Sequence, residues 1–183
     1  TNIEYVGGSI HNDSLLGSTR DDYFGGGDGA DTFDGAGGFD EVTYGGTGNN
    51  TGVTVRLDGW VGNSGMLPSG YTGSAIDQWG KVDVFRNIEG VEGSGYNDSI
   101  TGDANNNVLD GRGGADTIDG GEGSDTVEYN QATIGIVVDL GQGKTFDDGQ
   151  GLGQASHGAA VEQDTLISIE NVWGGSGSDS ITG

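Results

Sequence analysis

Aspartates fall every nine residues in this chain, and that short period fixes most of what it can fold into. Asp13, Asp22, Asp31 and Asp40 form a first run; Asp98, Asn107, Asp116 and Asp125 form a second; Asp179 opens a third. A glycine stands five residues before each acid: Gly8, Gly17, Gly26 and Gly35, then Gly93, Gly102, Gly111 and Gly120. An apolar residue follows two later: Leu15, Phe24, Phe33 and Val42, then Ile100, Leu109, Ile118 and Val127. The fullest units read GGDGADTFD (26–34) and GRGGADTID (111–119). Their first six residues suit a tight turn, because glycine accepts positive φ without steric cost. Their last three set one apolar side chain between two polar ones, a minimal strand with one inward face. The period predicts an all-β coil with two nonads per revolution, stacked as parallel strands around a thin core.

A longer repeat lies over the nonads. Asn87-Ile88-Glu89 repeats Asn2-Ile3-Glu4 at an offset of 85, kept by Asp13 and Asp98 and by Tyr44 and Tyr129. The offset falls to 83 where Val53–Leu57 meets Ile136–Leu140. It falls to 81 where Asp83–Glu89 meets Asp164–Glu170. We read three blocks: 1–85 with nonads at 8–43, 86–166 with nonads at 93–128, and the start of another at 167–183. The sequence enters and leaves at the same phase, as a slice of a longer array would. Between the runs, Val53–Leu57, Ile134–Leu140, Val82–Val91 and Thr165–Val172 read as strands that extend the same parallel stack. The Gly-rich, polar stretches 59–80 and 141–163 read as mobile loops.

The composition narrows the chemistry. Of 183 residues 41 are Gly, and Leu, Ile, Val and Phe together make 38, about a fifth. That is little apolar material to offset a backbone ordering cost of roughly 1–2 kcal/mol per residue. The net charge is −23, from 29 acids against 6 Lys and Arg. Such a chain is a poor partner for nucleic acid or an anionic membrane surface. No run reaches the 18 or so apolar residues of a membrane span. Cysteine is absent, so neither disulfides nor thiolate sites hold the fold.

Two nonads per revolution bring each Asp near the one two nonads on: Asp13 with Asp31, Asp22 with Asp40, Asp98 with Asp116, Asn107 with Asp125. Carboxylates stacked this closely repel, most of all in a low dielectric. The pattern makes sense with a hard cation between the turns. Ca²⁺ takes six to eight oxygens at about 2.3–2.6 Å, and Gly-rich turns supply carbonyls beside the Asp. Zn²⁺ would call for Cys or clustered His.

The recurring Gly-Gly-x-Gly-x-Asp core resembles the calcium-binding nonapeptide of the RTX (repeats-in-toxin) proteins. The intervening stretches are similar to those between RTX blocks of large toxins and adhesins. The resemblance implies a parallel β-roll with Ca²⁺ between turns, held by the sixth-position Asp and by loop carbonyls such as those of Gly26, Gly111 and Gly120. Fifth-position Asn12, Asp21, Asn97 and Asn106 are expected to add ligands. It further implies a secreted, non-enzymatic module of a larger bacterial protein, exported through type I secretion machinery and folded by Ca²⁺ outside the cell. Adhesin or toxin loops that bind a host surface or glycan, or an appendage of a secreted enzyme, are the alternatives. Nonads 8–16 and 17–25 lack most glycines and Asn107 carries no charge, so the tighter sites are expected at the centre of each block. Glu4, Glu89 and Glu170 either add ligands at the mouth of a roll or form a charged edge.

Other signals are weak. Ser156-His157 has no nucleophile elbow around it. Gly143-Lys144-Thr145 would need a glycine at Val138 to be a phosphate loop. Asp103–Asn107 starts like an EF-hand but has Val108 and Gly114 where Gly and Glu are required. The nine-residue rhythm of the acids speaks for structural ligands over a glycosidase pair. Trp60, Tyr71, Trp79 and Trp173 are expected to cover a core short of apolar area, ahead of stacking on sugars.

Overall fold

A computed structural model describes residues 4–46, 48–62, 66–147 and 163–183, leaving aside the side chains of Glu4 and of 144–147. Among them there are strands and turns and no helix. The first run of nonads gives β2 (Ser14–Leu16), β3 (Asp22–Gly25), β4 (Thr32–Asp34) and β5 (Glu41–Thr43), preceded by β1 (Glu4–Gly7). The first interval gives β6 (Thr54–Arg56), β7 (Gly73–Ile76), β8 (Val82–Arg86) and β9 (Gly90–Glu92). The second run gives β10 (Ser99–Thr101), β11 (Val108–Asp110), β12 (Thr117–Asp119) and β13 (Thr126–Glu128). The second interval gives β14 (Val137–Asp139), β15 (Lys144–Asp147), β16 (Thr165–Ile167) and β17 (Asn171–Trp173), and the last nonad gives β18 (Ser180–Thr182).

Alternate nonads go to opposite sheets. One sheet is parallel throughout, in the order β1-β3-β5-β9-β11-β13-β17; the other runs β18-β14-β15-β16-β12-β10-β6-β7-β8-β4-β2. Registers such as Leu15↔Phe33, Phe24↔Val42 and Ile100↔Ile118 step by 18 residues, two nonads. This is the parallel β-roll that the period calls for.

Only the middle residue of each three-residue strand faces inward, so the core is one side chain wide per strand. Phe24, Val42, Val91, Leu109 and Val127 from one sheet meet Phe33, Val55, Phe85, Ile100, Ile118 and Leu166 from the other, all buried. The rings of Phe24 and Phe33 lie 6.0 Å apart between the sheets. Leu15, on an end strand, is only partly buried, and Ile181 is exposed.

The intervals differ from the sequence reading in two ways. The stretches Val82–Val91 and Thr165–Val172 are each two strands, β8 with β9 and β16 with β17. Asn87 (φ 54°) and Ser168 (φ 52°) turn the chain from one sheet to the other at these corners. Left-handed backbone is within reach of Asn and unusual for Ser, and glycine-based turn signals do not announce either. The stretches 59–80 and 141–163 are not simple loops. They contain β7 and β15, which pair antiparallel with their neighbours and break the all-parallel stack on that side. Gly73, Ser74 and Ala75 of β7 are buried, and Gly73 lies opposite Phe85, where a Cβ would come within 2.3 Å of its ring. Residues 63–65 and 148–162, with Ser156-His157, lie outside the described residues.

A single-file core makes each inward residue matter. Ile118→Ala is expected to cost about 2–5 kcal/mol in Ca²⁺-saturated buffer. Outward-facing Ile167→Ala should cost less than about 1 kcal/mol. Denaturant unfolding of both variants checks this, and equal costs would contradict the inward column.

Candidate metal centre

The turns before the strands are of two kinds, and the second residue of the nonad decides which. In 8–16, 17–25, 93–101 and 102–110 that residue is Ser9, Ser18, Ser94 or Asp103. Its N–H donates to the sixth-position side chain of its own loop: Ser9 to Asp13 Oδ2 (2.6 Å), Ser18 to Asp22 Oδ2 (2.6 Å), Ser94 to Asp98 Oδ2 (2.6 Å) and Asp103 to Asn107 Oδ1 (2.8 Å). In 26–34, 35–43, 111–119 and 120–128 the second residue is left-handed: Gly27 (φ 89°), Ala36 (69°), Arg112 (66°) and Gly121 (93°). In both runs the two closed loops come first and the two open ones follow, so every open loop stacks on a closed one.

A ladder of acids holds the stack together. The N–H of each sixth residue donates to Oδ1 of the Asp two nonads later: Asp13 to Asp31 (2.8 Å), Asp22 to Asp40 (2.8 Å), Asp98 to Asp116 (2.7 Å) and Asn107 to Asp125 (2.8 Å). The four expected pairs are therefore neighbours, joined from backbone to carboxylate. Fifth-position side chains bind the other way. Asn12 Oδ1 accepts from Ala30 N–H, Asp21 from Phe39, Asn97 from Ala115 and Asn106 from Ser124, each at 2.9–3.0 Å. These four side chains thus staple loop to loop from the rim.

The open loops leave oxygen behind. Oδ2 of Asp31, Asp40 and Asp125 is buried with no hydrogen-bond partner, and their residues are 1%, 0% and 0% exposed. A buried carboxylate oxygen without a donor is rare and costly unless a cation meets it. Carbonyls crowd the same gaps. A Cβ built on Gly27 would lie 2.0 Å from Ser9 O of the loop stacked on it, and one on Gly121 would lie 2.4 Å from Asp103 O. The carbonyls of Gly26, Gly111 and Gly120 point at Gly8, Gly93 and Gly102 of the loops two nonads earlier, at 2.3, 3.0 and 2.2 Å from where a Cβ would be. Among the described residues no three Asp, Glu or His side chains converge as a chelating cluster. A cation here would meet one carboxylate and several carbonyls, an all-oxygen set that fits Ca²⁺. Asp116 occupies the matching place in its open loop, while Asp179 in the last nonad is exposed and accepts from Ile136 N–H (3.1 Å).

Burial sets the protonation of these acids. It pushes Asp31 and Asp125 up, and Asp40 to about 6, with the charges of Glu89, Asp22 and Asp21 adding to the last. Asp98 is raised to about 6, again chiefly by burial, against the N–H bonds from Ser94 and Val53.

Four acids that carry on the ladder stand outside the nonads. Asp83 Oδ1 accepts from Asp31 N–H (2.9 Å), Asp164 Oδ1 from Asp116 (2.9 Å), Glu89 Oε2 from Asp40 (3.0 Å) and Glu170 Oε2 from Asp125 (2.8 Å). Asp83 and Asp164 also accept from the hydroxyls of Tyr44 (3.2 Å) and Tyr129 (2.8 Å). Glu89, half-buried, and Glu170, exposed, are therefore rungs of the ladder. The signal lay in the 81-residue offset joining Asp83–Glu89 to Asp164–Glu170, which lacks the leading glycines.

Residues 7–42, 92–127 and 168–183 match the family described as the RTX calcium-binding nonapeptide repeat (4 copies). The chain belongs to the RTX calcium-binding repeat family. Its stacked loops are the calcium-binding part of an RTX protein, a structural and non-catalytic kind of domain. No curated protein matches the chain.

The raised carboxyls make this RTX module sensitive to pH when metal is absent. A carboxyl whose folded value lies above its unfolded one stabilises the fold fully below the unfolded value, and loses that contribution as pH rises through the folded one. Asp40 and Asp98 at about 6, Glu41 at about 7 and Asp83 at about 8 set the window. In chelator, strand content followed by circular dichroism should grow as pH falls from 8 to about 4.5. Strand content that is flat, or larger at the alkaline end, would contradict this.

Proposed function

We propose that this RTX module is held unfolded by its own charge until it meets extracellular Ca²⁺, and that the ion then folds it as a structural, secretion-assisting part of a larger exported bacterial protein. The reading is carried by the buried, donorless carboxylate oxygens of Asp31, Asp40 and Asp125. At neutral pH without metal, closing the loops means desolvating these charges and setting them near others of the same sign, in a chain of net charge −23. Where free Ca²⁺ is scarce the chain stays expanded, the state that passage through a type I channel calls for. Where Ca²⁺ is plentiful, each site at 100 times its Kd adds about 2.7 kcal/mol. Folding then spreads from loop to loop, as nearest-neighbour coupling in a solenoid provides.

The ligands in this reading are Oδ2 of Asp31, Asp40, Asp116 and Asp125 with the carbonyls of the facing loops. Asp13, Asp22 and Asp98 serve mainly the closed loops, since their second oxygen already has a donor. Circular dichroism in chelator and in millimolar Ca²⁺ tests the proposal: a disordered spectrum should become strand-rich, and a strand-rich spectrum unchanged by chelator at pH 7.5 would overturn it. Asp31→Ala and Asp116→Ala should raise the Ca²⁺ midpoint of that transition more than Asp22→Ala, and equal midpoints would overturn the ligand assignment.

A further inference from the structure

The stack above the open loop 26–31 does not continue with another nonad. Its next neighbour in the sheet is β8, and beyond β8 comes the antiparallel β7. The registers Thr32↔Val84 and Ser74↔Val84 place the turn 77–81, which joins β7 to β8, on the same edge of the sheet as loop 26–31. Asp83 continues the backbone ladder there, but its two oxygens are taken by Asp31 N–H and the Tyr44 hydroxyl. It has no oxygen without a hydrogen-bond donor to offer a cation.

Asp77 does. It is 2% exposed, and its Oδ1 accepts from the N–H groups of Trp79 (2.9 Å) and Lys81 (2.6 Å), which closes the turn. Its Oδ2 is buried with no hydrogen-bond partner, as is Oδ2 of Asp31 in the facing loop. A turn aspartate usually leaves its second oxygen in water, and this one is sealed inside. Lys81 is exposed and forms no ion pair with it among the described residues. The charge of Asp77 is felt at Asp31 and at Asp83, and Asp77 feels that of Asp28, in the same loop as Asp31, and in the opposite sense that of Lys81.

We propose that the β7–β8 hairpin closes a cation site of its own against the nonad loop 26–31, with Asp77 Oδ2 as the ligand from the hairpin and Asp31 Oδ2 bridging to it from the site shared with loop 8–13. Carbonyls of the 26–31 loop complete the shell, and the all-oxygen set selects a hard ion, Ca²⁺ in the first place. The hairpin stands in for the missing nonad, and an ion there pins the interval to the roll. This rests on the reading that calcium folds the module.

Native mass spectrometry at saturating Ca²⁺ tests it with Asp77→Asn, which keeps an oxygen for the N–H groups of Trp79 and Lys81. The variant should bind one Ca²⁺ fewer than the wild-type chain and keep the same strand-rich spectrum. An unchanged count overturns the hairpin site, while a wild-type chain that binds no Ca²⁺ overturns the wider reading instead. Should the variant fail to fold, crystals of the wild-type chain grown with Tb³⁺ decide. An anomalous peak within about 2.6 Å of Asp77 Oδ2 supports the site; peaks at the nonad loops with none at Asp77 overturn it.

Discussion

The structure depends on one arrangement: a carboxylate placed inside a turn, with one oxygen bonded to the N–H of the neighbouring turn and the other left facing an oxygen-lined gap. The first contact sets the spacing and register of the stack. The second makes the stack conditional, because a row of buried like charges is stable only when protons or cations neutralise it. The hydrophobic column between the sheets is too narrow to override that condition. Each strand gives it a single inward side chain, and its end residues are already partly open to water.

Closed and open loops divide the labour. Ser9, Ser18, Ser94 and Asp103 fill the gap of their own loop with an N–H group that donates to the side-chain oxygen of the sixth residue. Gly27, Ala36, Arg112 and Gly121 turn the backbone the other way and withdraw that donor. Stacking one kind on the other brings the carbonyls of Ser9 and Asp103 in the closed loops against Gly27 and Gly121 of the open ones. Their alternation makes a row of half-built sites instead of a row of satisfied turns.

Much of this was legible in the sequence. A nine-residue period with one apolar residue per unit leaves little besides a two-nonad coil, and the sixth-position Asp follows from the spacing alone. The weak nonads 8–16 and 17–25 were visible as departures, though only their hydrogen bonds show that the N–H groups of Ser9 and Ser18 satisfy Oδ2 of Asp13 and Asp22. The intervals were harder to read. Asp83 and Asp164 carry on the ladder without the glycines that mark the nonads, and Asp83 is reached from the turn 77–81 that joins β7 to β8. The strand Gly73–Ile76 has three buried small residues and no alternating pattern, so composition hides it as a loop. Asn87 and Ser168 turn corners in a left-handed conformation that local sequence favours only for the first.

The amide protons of the ladder report on the central claim most directly. Those of Asp13, Asp22, Asp98 and Asn107 donate across the gaps that the ions would occupy. Hydrogen exchange at pH 7 should find them strongly protected in millimolar Ca²⁺ and exchanging like an unfolded chain in chelator. Equal protection in both buffers would contradict the account.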